Sequence, residues 1–338
     1  MKKYENISFL KTVMMLIIVL YHSMLFFGGE WFTYVEPVYN GNNLYYIAQW
    51  MNTFHIQTFT MASGFLFYYL KKEKKKYNKP KEDIKKRVKR LLIPYIFVSL
   101  LWAIPIGYYF FKYSIKEIIN KYLLMVAPSQ LWFLIMIFMV FLFFEIFGDK
   151  IKISLKNLII MYITTTIIGF SLSYLNIEYF QIAKSVRYIL YFYLGEYIYT
   201  NKDKLNAKKT LIMILASMIL YVGLLYANSL NIKILHYGTK MIEPIVSILE
   251  VSSIYYICTI LVENKIIKTN KIYKILEDNS FGIYLFHQQI IYFMIILLNG
   301  VVHPIIQALL SFAISLSISL LMSMLLKKSK VLKFIFGL

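Results

Sequence analysis

Lys11 and His22 are the residues most suited to chemistry, because both lie inside residues 7–27, an apolar run of membrane-spanning length. In an α-helix, eleven residues make about three turns and rise roughly 16 Å, so the two side chains share one face at two depths. Ionisable groups inside a bilayer are costly and usually face a protein interior or a watery cavity. The pair therefore predicts a functional cavity along this face. The alternative is that Lys11 snorkels to the headgroups and His22 is an interfacial polar residue.

Two further histidines, His55 and His287, also lie in apolar runs. His55 is followed by Ser63 and Gly64, small residues that allow close helix approach. As an alternative to a functional role, each polar side chain hydrogen-bonds a neighbouring helix. The histidines have no cysteine or carboxylate companions at ligand spacing, so the sequence predicts no metal site. It also contains no phosphate-binding glycine loop and no nucleophile elbow.

Charged side chains in two later runs need compensation. Glu250 lies deep in its predicted span, which implies a salt bridge, a protonated carboxyl or an aqueous cavity. Lys184 and Arg187 share one face near the outer end of another span. Their depth permits pairing of either residue with Glu243, which we state as a structural hypothesis.

Arg87 and Arg90 close a strongly basic loop, just before the next apolar run. Residues three apart share a helix face, and two guanidinium groups there form a fork suited to a phosphate-bearing ligand from the cytoplasm. The alternative is a topological stop beside anionic lipids. Trp132, at the start of the fourth span, is by itself typical of an anchor at the membrane interface.

The composition places these residues in a membrane protein. The 338 residues are 59% hydrophobic and 16% charged, too apolar for a soluble globule of this length. We predict an all-α, polytopic helix bundle that forms a single membrane domain over residues 1–338, without a separate soluble domain. The first run is too long for a signal peptide and lacks a cleavage site. The ten predicted spans of the bundle are about 7–27, 44–70, 91–111, 131–148, 155–175, 181–199, 210–227, 241–262, 280–298 and 304–326.

The charge distribution predicts the orientation of the bundle. Of the 37 lysines and arginines, 29 fall in the segments on one side, five in the loops on the other and three within spans. The positive-inside rule then makes both termini cytoplasmic. The net charge of +20 is chiefly topological and does not indicate a nucleic-acid partner. The single cysteine, Cys258, permits no internal disulfide.

Two outer segments carry recognisable patterns. Residues 28–43 lack basic side chains but hold Trp31, three other aromatics and two glutamates, a composition that suits sugar rings and equally an interfacial belt. Residues 114–126 place apolar side chains at helical spacing, which predicts an amphipathic helix along the outer surface.

Taken in order, several motifs resemble the acyltransferase-3 family, multi-spanning bacterial membrane enzymes that O-acylate mainly extracytoplasmic glycans. The resemblance covers essentially the whole chain. The motifs are a first span ending in His22, Phe54-His55-Ile56-Gln57-Thr58-Phe59 with Ser63-Gly64-Phe65, Arg87-x-x-Arg90 before Ile93-Pro94-Tyr95, Leu131-Trp132-Phe133-Leu134, Gly195 after the Arg187 segment, and Ile283-Tyr284-Leu285-Phe286-His287. Some positions depart from the family pattern: Ser8 and Lys11 replace its aspartate and arginine, Gln57 a common proline, and Gln130 a frequent histidine.

The resemblance implies an O-acyltransferase of the bacterial cytoplasmic membrane, which moves an acyl group, by default acetyl, from cytoplasmic acyl-CoA to a hydroxyl of a glycan or lipid-linked sugar. Acyl-CoA is a co-substrate, and no tightly bound cofactor is implied. His22 is the expected general base, or the acyl acceptor in a covalent variant, and Lys11, on the same helix face, would contact CoA or orient its pantetheine arm. Arg87 and Arg90 are expected to bind acyl-CoA. The expected supporting residues are His55, Ser63, Trp132, Arg187, Glu250, Tyr284 and His287, of which Arg187 or His287 would stabilise an oxyanion.

Two other classes of protein also fit parts of the sequence. In a transporter or flippase for an anionic lipid-linked or acyl carrier, Lys11, Arg187 and Glu250 would line a pathway, and His22→Ala would be tolerated. In a membrane scaffold, the polar residues would serve helix packing alone. Neither of these should hydrolyse or exchange acyl-CoA.

Overall fold

All regular structure in the described part of the chain is helical. The computed structural model describes residues 4–77, 79–230, 232–267 and 270–338, without a strand among them. Lys2, Lys3 and Lys268, three of the predicted cytoplasmic charges, lie outside these ranges. The helices are α1 Glu5–Leu25, α2 Asn42–Asn52, α3 His55–Lys72, α4 Pro80–Phe111, α5 Ile115–Ile118, α6 Trp132–Phe147, α7 Leu155–Tyr174, α8 Ile182–Asn201, α9 Ala207–Ser229, α10 Lys233–Glu263, α11 Lys271–Leu298, α12 Pro304–Leu326 and α13 Lys330–Ile335.

Eight of the described helices are long and apolar enough to cross a membrane, namely α1, α4, α6, α7 and α9 to α12. The predicted all-α, multi-pass bundle is confirmed. The other two predicted spans correspond to α2 with α3 and to α8, which are more polar, so the count of ten and the cytoplasmic termini stay predictions. Helix α1 is central: it packs against α2, α3, α10, α11 and α12.

The predicted span 44–70 is not one continuous helix, because the chain breaks between α2 and α3. The break frees carbonyl groups at the end of α2, and two polar side chains from α3 satisfy them. His55 Nδ1 lies 2.7 Å from the carbonyl oxygen of Met51, and Gln57 Nε2 donates to that of Asn52 at 3.1 Å. A free carbonyl is costly away from water, so these contacts explain why both polar residues occupy an apolar run.

Glu250 holds the same break from the opposite helix. Its carboxylate accepts hydrogen bonds from Trp50 Nε1 at 3.0 Å and from Thr53 Oγ1 at 2.5 Å. No salt bridge of Glu250 occurs among the described residues. The compensation expected for this deep carboxyl is thus supplied by neutral donors that tie α2 to α10.

Helices α3 and α8 approach each other through two glycines. A Cβ atom built on Gly64 would lie 2.0 Å from the carbonyl oxygen of Phe192, and one on Gly195 would lie 2.0 Å from that of Met61. Both distances are far inside van der Waals contact with backbone. The close approach predicted from Ser63-Gly64 is confirmed, and it needs glycine on both helices.

Gly195→Ala is therefore expected to destabilise the bundle by about 1–3 kcal/mol, the usual cost of overpacking. The matched control is Gly223→Ala in α9, where an added Cβ meets nothing within 4 Å. Unfolding of the purified proteins in mixed micelles measures both. Equal stability of the Gly195 variant and the wild type would contradict the packing argument.

Candidate active site

A cavity of about 330 Å³ lies between α1, α3, α4, α6 and α11, and we call it the inner cavity because its lining includes the basic segment predicted to be cytoplasmic. Five of the predicted site residues line it: Lys11, Ser63, Arg87, Arg90 and Tyr284. The Lys11 Nζ atom lies 6.0 Å from the centre of the Phe59 ring. Lys11 thus faces a protein cavity and not the lipid, as the first interpretation of its position predicts.

The two arginines of the basic fork have different surroundings. Arg87 Nη2 lies 3.1 Å from the carboxylate of Glu145, and its guanidinium stacks 3.6 Å from the centre of the Phe141 ring. The side chain of Arg87 is 11% exposed and that of Glu145 fully buried. Arg90 is exposed where it lines the cavity. Of the two, Arg90 is the one free to meet an incoming anion.

His22 and His287 form a direct pair. His22 Nδ1 lies 3.2 Å from His287 Nε2, and the two rings are 5.0 Å apart. His22 Nδ1 also lies 2.9 Å from the carbonyl oxygen of Ile18. His287 Nδ1 lies within 3.1 Å of two carbonyl oxygens of its own helix, those of Ile283 and Tyr284.

These contacts fix which nitrogens carry protons. A carbonyl oxygen only accepts hydrogen bonds, so Nδ1 is the protonated nitrogen in both neutral rings. His287 Nε2 then accepts from His22 Nδ1–H, which leaves His22 Nε2 with a lone pair. This is the arrangement of a general base whose tautomer is held by a second residue.

A second cavity, of about 390 Å³, lies beyond the histidines, and we call it the outer cavity. Its lining is mainly polar and aromatic: Glu30, Trp31, Thr33, Tyr113, Lys121, Ser129, Gln288, Gln289 and Tyr292 contribute, with four apolar residues and Tyr122. The Trp31 ring lies 5.5 Å from the His22 ring, centre to centre. Trp31, predicted as a sugar platform or a belt residue, thus borders the histidine pair.

The remaining predicted site residues lie at the α2–α3 break or at a third cavity. His55 serves the α2–α3 break, and its ring contacts that of Tyr21 at 4.6 Å. Trp132 and Arg187 line a third cavity, described below, and Glu250 serves the break. The hypothesis that Lys184 or Arg187 pairs with Glu243 is wrong. Glu243 lies 3.5 Å from Lys240 Nζ, Lys184 Nζ lies 4.7 Å from the centre of the Trp132 ring, and Arg187 donates to Ser173 Oγ at 2.8 Å.

Sequence reasoning missed Glu145 and the role of Gln289. Glu145 is the only carboxylate in the predicted span 131–148, so the rule that singled out Glu250 would have found it. Gln130 and Gln289 exchange side-chain hydrogen bonds at 2.8 and 3.0 Å, and Trp102 Nε1 donates to Gln289 at 3.1 Å. This amide pair fastens the start of α6 to α11, a non-local contact that local patterns do not signal.

Comparison with known proteins gives one match. The family model described as an acyltransferase domain, of the acyltransferase-3 family, matches residues 4–324. No curated protein and no solved structure matches the chain significantly. The matched region runs from the start of α1 almost to the end of α12 and contains the inner cavity, the outer cavity and the histidine pair. The chain therefore belongs to the acyltransferase-3 family and is a membrane acyltransferase.

Proposed function

We propose that the protein is an O-acyltransferase that moves an acyl group, with acetyl as the expected case, from cytoplasmic acyl-CoA to a hydroxyl of an extracytoplasmic glycan. One observation carries the proposal. Along α11, Ser280, Phe281 and Tyr284 line the inner cavity, whereas Gln288, Gln289 and Tyr292 line the outer cavity. His287 lies between the two sets, paired with His22. A donor and an acceptor entering from opposite ends would therefore meet at the histidines.

The inner cavity supports the binding of acyl-CoA. Exposed Arg90 supplies a charge for the nucleotide phosphates, and Lys11 offers a second cation deeper along α1. Most of the other lining residues are apolar or aromatic, which suits the pantetheine arm. Ile18 also lines this cavity, one helical turn before His22, so the thioester end of the arm is directed towards His22.

The reaction follows from the tautomer of neutral His22, which has its proton on Nδ1 and a lone pair on Nε2. Nε2 takes the proton of the acceptor hydroxyl while the hydroxyl oxygen attacks the thioester carbonyl carbon. The carbon–sulfur bond then breaks, CoA leaves as a thiolate, and His22 returns the proton to the sulfur. The products are the acyl ester and CoA. Because neutral His287 carries no proton on Nε2, we assign it to the positioning of His22 and not to the stabilisation of an oxyanion.

The outer cavity supports a carbohydrate acceptor. Trp31 and Tyr292 contribute aromatic rings to its lining, with ring centres 5.1 Å apart. Glu30 and Gln288 supply a carboxylate and an amide group that hydrogen-bond hydroxyls. Aromatic faces with such groups at the rim suit sugar rings, and His22 lies beside Trp31, where it can reach a hydroxyl.

His287→Leu is expected to lower kcat by about 10- to 100-fold, part of the contribution of a positioned general base, while KM for acyl-CoA changes little. The loss of the acceptor at Nε2 removes what holds the His22 tautomer. His287→Gln, whose amide oxygen can accept from His22 Nδ1–H, should recover part of the rate. Steady-state kinetics over a range of pH measures both variants. A rise in KM with unchanged kcat would contradict the positioning role.

The function is tested by incubating membranes that contain the protein with acetyl-CoA labelled in the acetyl group, and by extracting the surface glycans. Label in alkali-labile ester linkage to glycan, absent from membranes without the protein, is the expected result. Purified protein should also hydrolyse acetyl-CoA slowly. Transport of a labelled carrier without ester formation or hydrolysis would favour the transporter interpretation and overturn the proposal.

A further inference from the structure

A third cavity, of about 280 Å³, gathers positive charge at the outer end of the bundle, and we call it the side cavity. It lies between α6, α7, α8 and α10, next to the break between α2 and α3. Its charged residues are Lys184, Arg187, Lys240 and Glu243, and its aromatic lining includes Trp132 and Tyr188. None of these residues contributes to the inner or the outer cavity.

The charges of the side cavity do not cancel. Lys240 lies 3.5 Å from Glu243, which is the only carboxylate that the described residues contribute to the lining. Lys184 stacks 4.7 Å from the centre of the Trp132 ring, and Arg187 donates to the neutral Ser173 hydroxyl. Two positive charges therefore remain within the lining, and Glu178, outside the lining, offsets part of the charge of Lys184. This surplus is informative because the outer loops hold only five cations, yet one of them, Lys240, shares a cavity with the two cations of the predicted span 181–199.

The surroundings hold Arg187 in place. A Cβ atom on Gly169 would lie 2.4 Å from Arg187 Cγ and 3.3 Å from the carbonyl oxygen of Ala183. The arginine side chain thus crosses α7 at Gly169, where α7 has no side chain. A guanidinium seated in this way loses little entropy when it binds an anion, and an arginine presents a fork that matches phosphate oxygens.

A second polar group points to a ligand with a hydroxyl. Gln57 lines the side cavity and is 8% exposed, and its Oε1 atom has no hydrogen-bond partner in the described part of the chain. An amide oxygen only accepts hydrogen bonds, so it does not bind an anion. A buried acceptor without a partner is costly, and a sugar hydroxyl beside the anionic group would satisfy it.

We propose that the side cavity binds a sugar phosphate portion of the acceptor, with the phosphate at Lys184 and Arg187 and a hydroxyl at Gln57. The surplus of cations in the lining, and the fork of Arg187 among them, suit a phosphate monoester dianion or a diphosphate better than a single carboxylate. This inference rests on the proposed function and narrows its acceptor to a phosphorylated glycan. The side cavity and the outer cavity are neighbours, because Ser129 lines the outer cavity and Trp132, just after the turn Ser129–Leu131, lines the side cavity. One acceptor can therefore reach both cavities.

The test is lysine footprinting of the purified full-length protein with an amine-acetylating reagent, read out residue by residue by mass spectrometry. Glucose 1-phosphate is expected to lower the modification rates of Lys184 and Lys240 severalfold and in a saturable manner. Lys116, exposed at the same predicted side but outside every cavity described above, is the internal control and should not change. Glucose should give no protection.

Two variants make the test specific without removing the lysines that are read out. Arg187→Gln should abolish the protection by glucose 1-phosphate. Gly169→Ala, which keeps every charge but displaces Arg187, should weaken it severalfold. Absence of saturable protection in the wild type, unchanged protection in Arg187→Gln, or equal protection by glucuronate would each overturn the proposal. No acyl donor is present in the assay, so failure of acyl transfer leaves its outcome intact.

Discussion

Loss of acyl transfer by about 10²- to 10⁴-fold is the expected result of His22→Ala, because the variant lacks the residue that we propose as the general base for the acceptor hydroxyl. The lone pair on His22 Nε2 is the chemical reason: His22 Nδ1–H is committed to the Ile18 carbonyl and to His287. Alanine at this position leaves the inner cavity intact, since His22 does not line it. KM for acetyl-CoA should therefore change little while kcat collapses.

The matched control is His236→Ala, an exposed histidine near the start of α10 that lines none of the three cavities. It should transfer label at the wild-type rate. Both variants are compared at equal amounts of protein in the membrane. Transfer by His22→Ala at the wild-type rate would remove His22 from the mechanism and favour the transporter interpretation.

His22→Ala also distinguishes a direct transfer from a route through an acetyl-histidine intermediate, when the acceptor is withheld. A direct transfer leaves no label on the wild-type protein after brief incubation with labelled acetyl-CoA. A covalent route leaves an acetyl group on His22, released by hydroxylamine and absent from His22→Ala. Both routes use the lone pair on His22 Nε2, as a base in the direct route and as a nucleophile in the covalent route, so the labelling decides between them.

Local pattern was sufficient to predict the stripe on α1. Lys11 and His22 are eleven positions apart, so their common face follows from the periodicity of one helix. The same reasoning predicted from the small residues Ser63 and Gly64 that another helix packs closely against α3, but not that this helix is α8. Apolar length likewise predicted the all-α bundle. These features depend on residues close in sequence.

The features that sequence reasoning missed depend on residues far apart. The α2–α3 break contains neither glycine nor proline, and it is held partly by Glu250, about 200 positions away. His22 and His287 are separated by 265 positions. Helical periodicity places each side chain on a face but does not indicate which faces meet. The contacts that define the site are set by tertiary packing.

The surroundings of Arg87 and Arg90 also could not be predicted from helical periodicity, and they lead to the second large expected effect. On a helix face alone, Arg87 and Arg90 are equivalent, but the structure gives Arg87 a buried partner in Glu145. Arg87→Gln is expected to destabilise the protein by about 3–5 kcal/mol, because it leaves the Glu145 carboxylate buried without its cation. Arg90→Gln should leave stability nearly unchanged and raise KM for acetyl-CoA about tenfold or more, the cost of one lost charge-assisted contact.

A double-mutant cycle resolves whether Arg87 acts through Glu145. Arg87→Leu with Glu145→Leu removes both charges, so no buried ion remains unpaired, and the double variant should be more stable than either single one. Unfolding in mixed micelles gives the stabilities, and acetyl-CoA hydrolysis gives KM. If Arg87→Gln were as stable as the wild type and raised KM as much as Arg90→Gln, both arginines would be phosphate ligands. The structure instead predicts that the two effects separate: stability follows Arg87 with Glu145, and donor affinity follows Arg90.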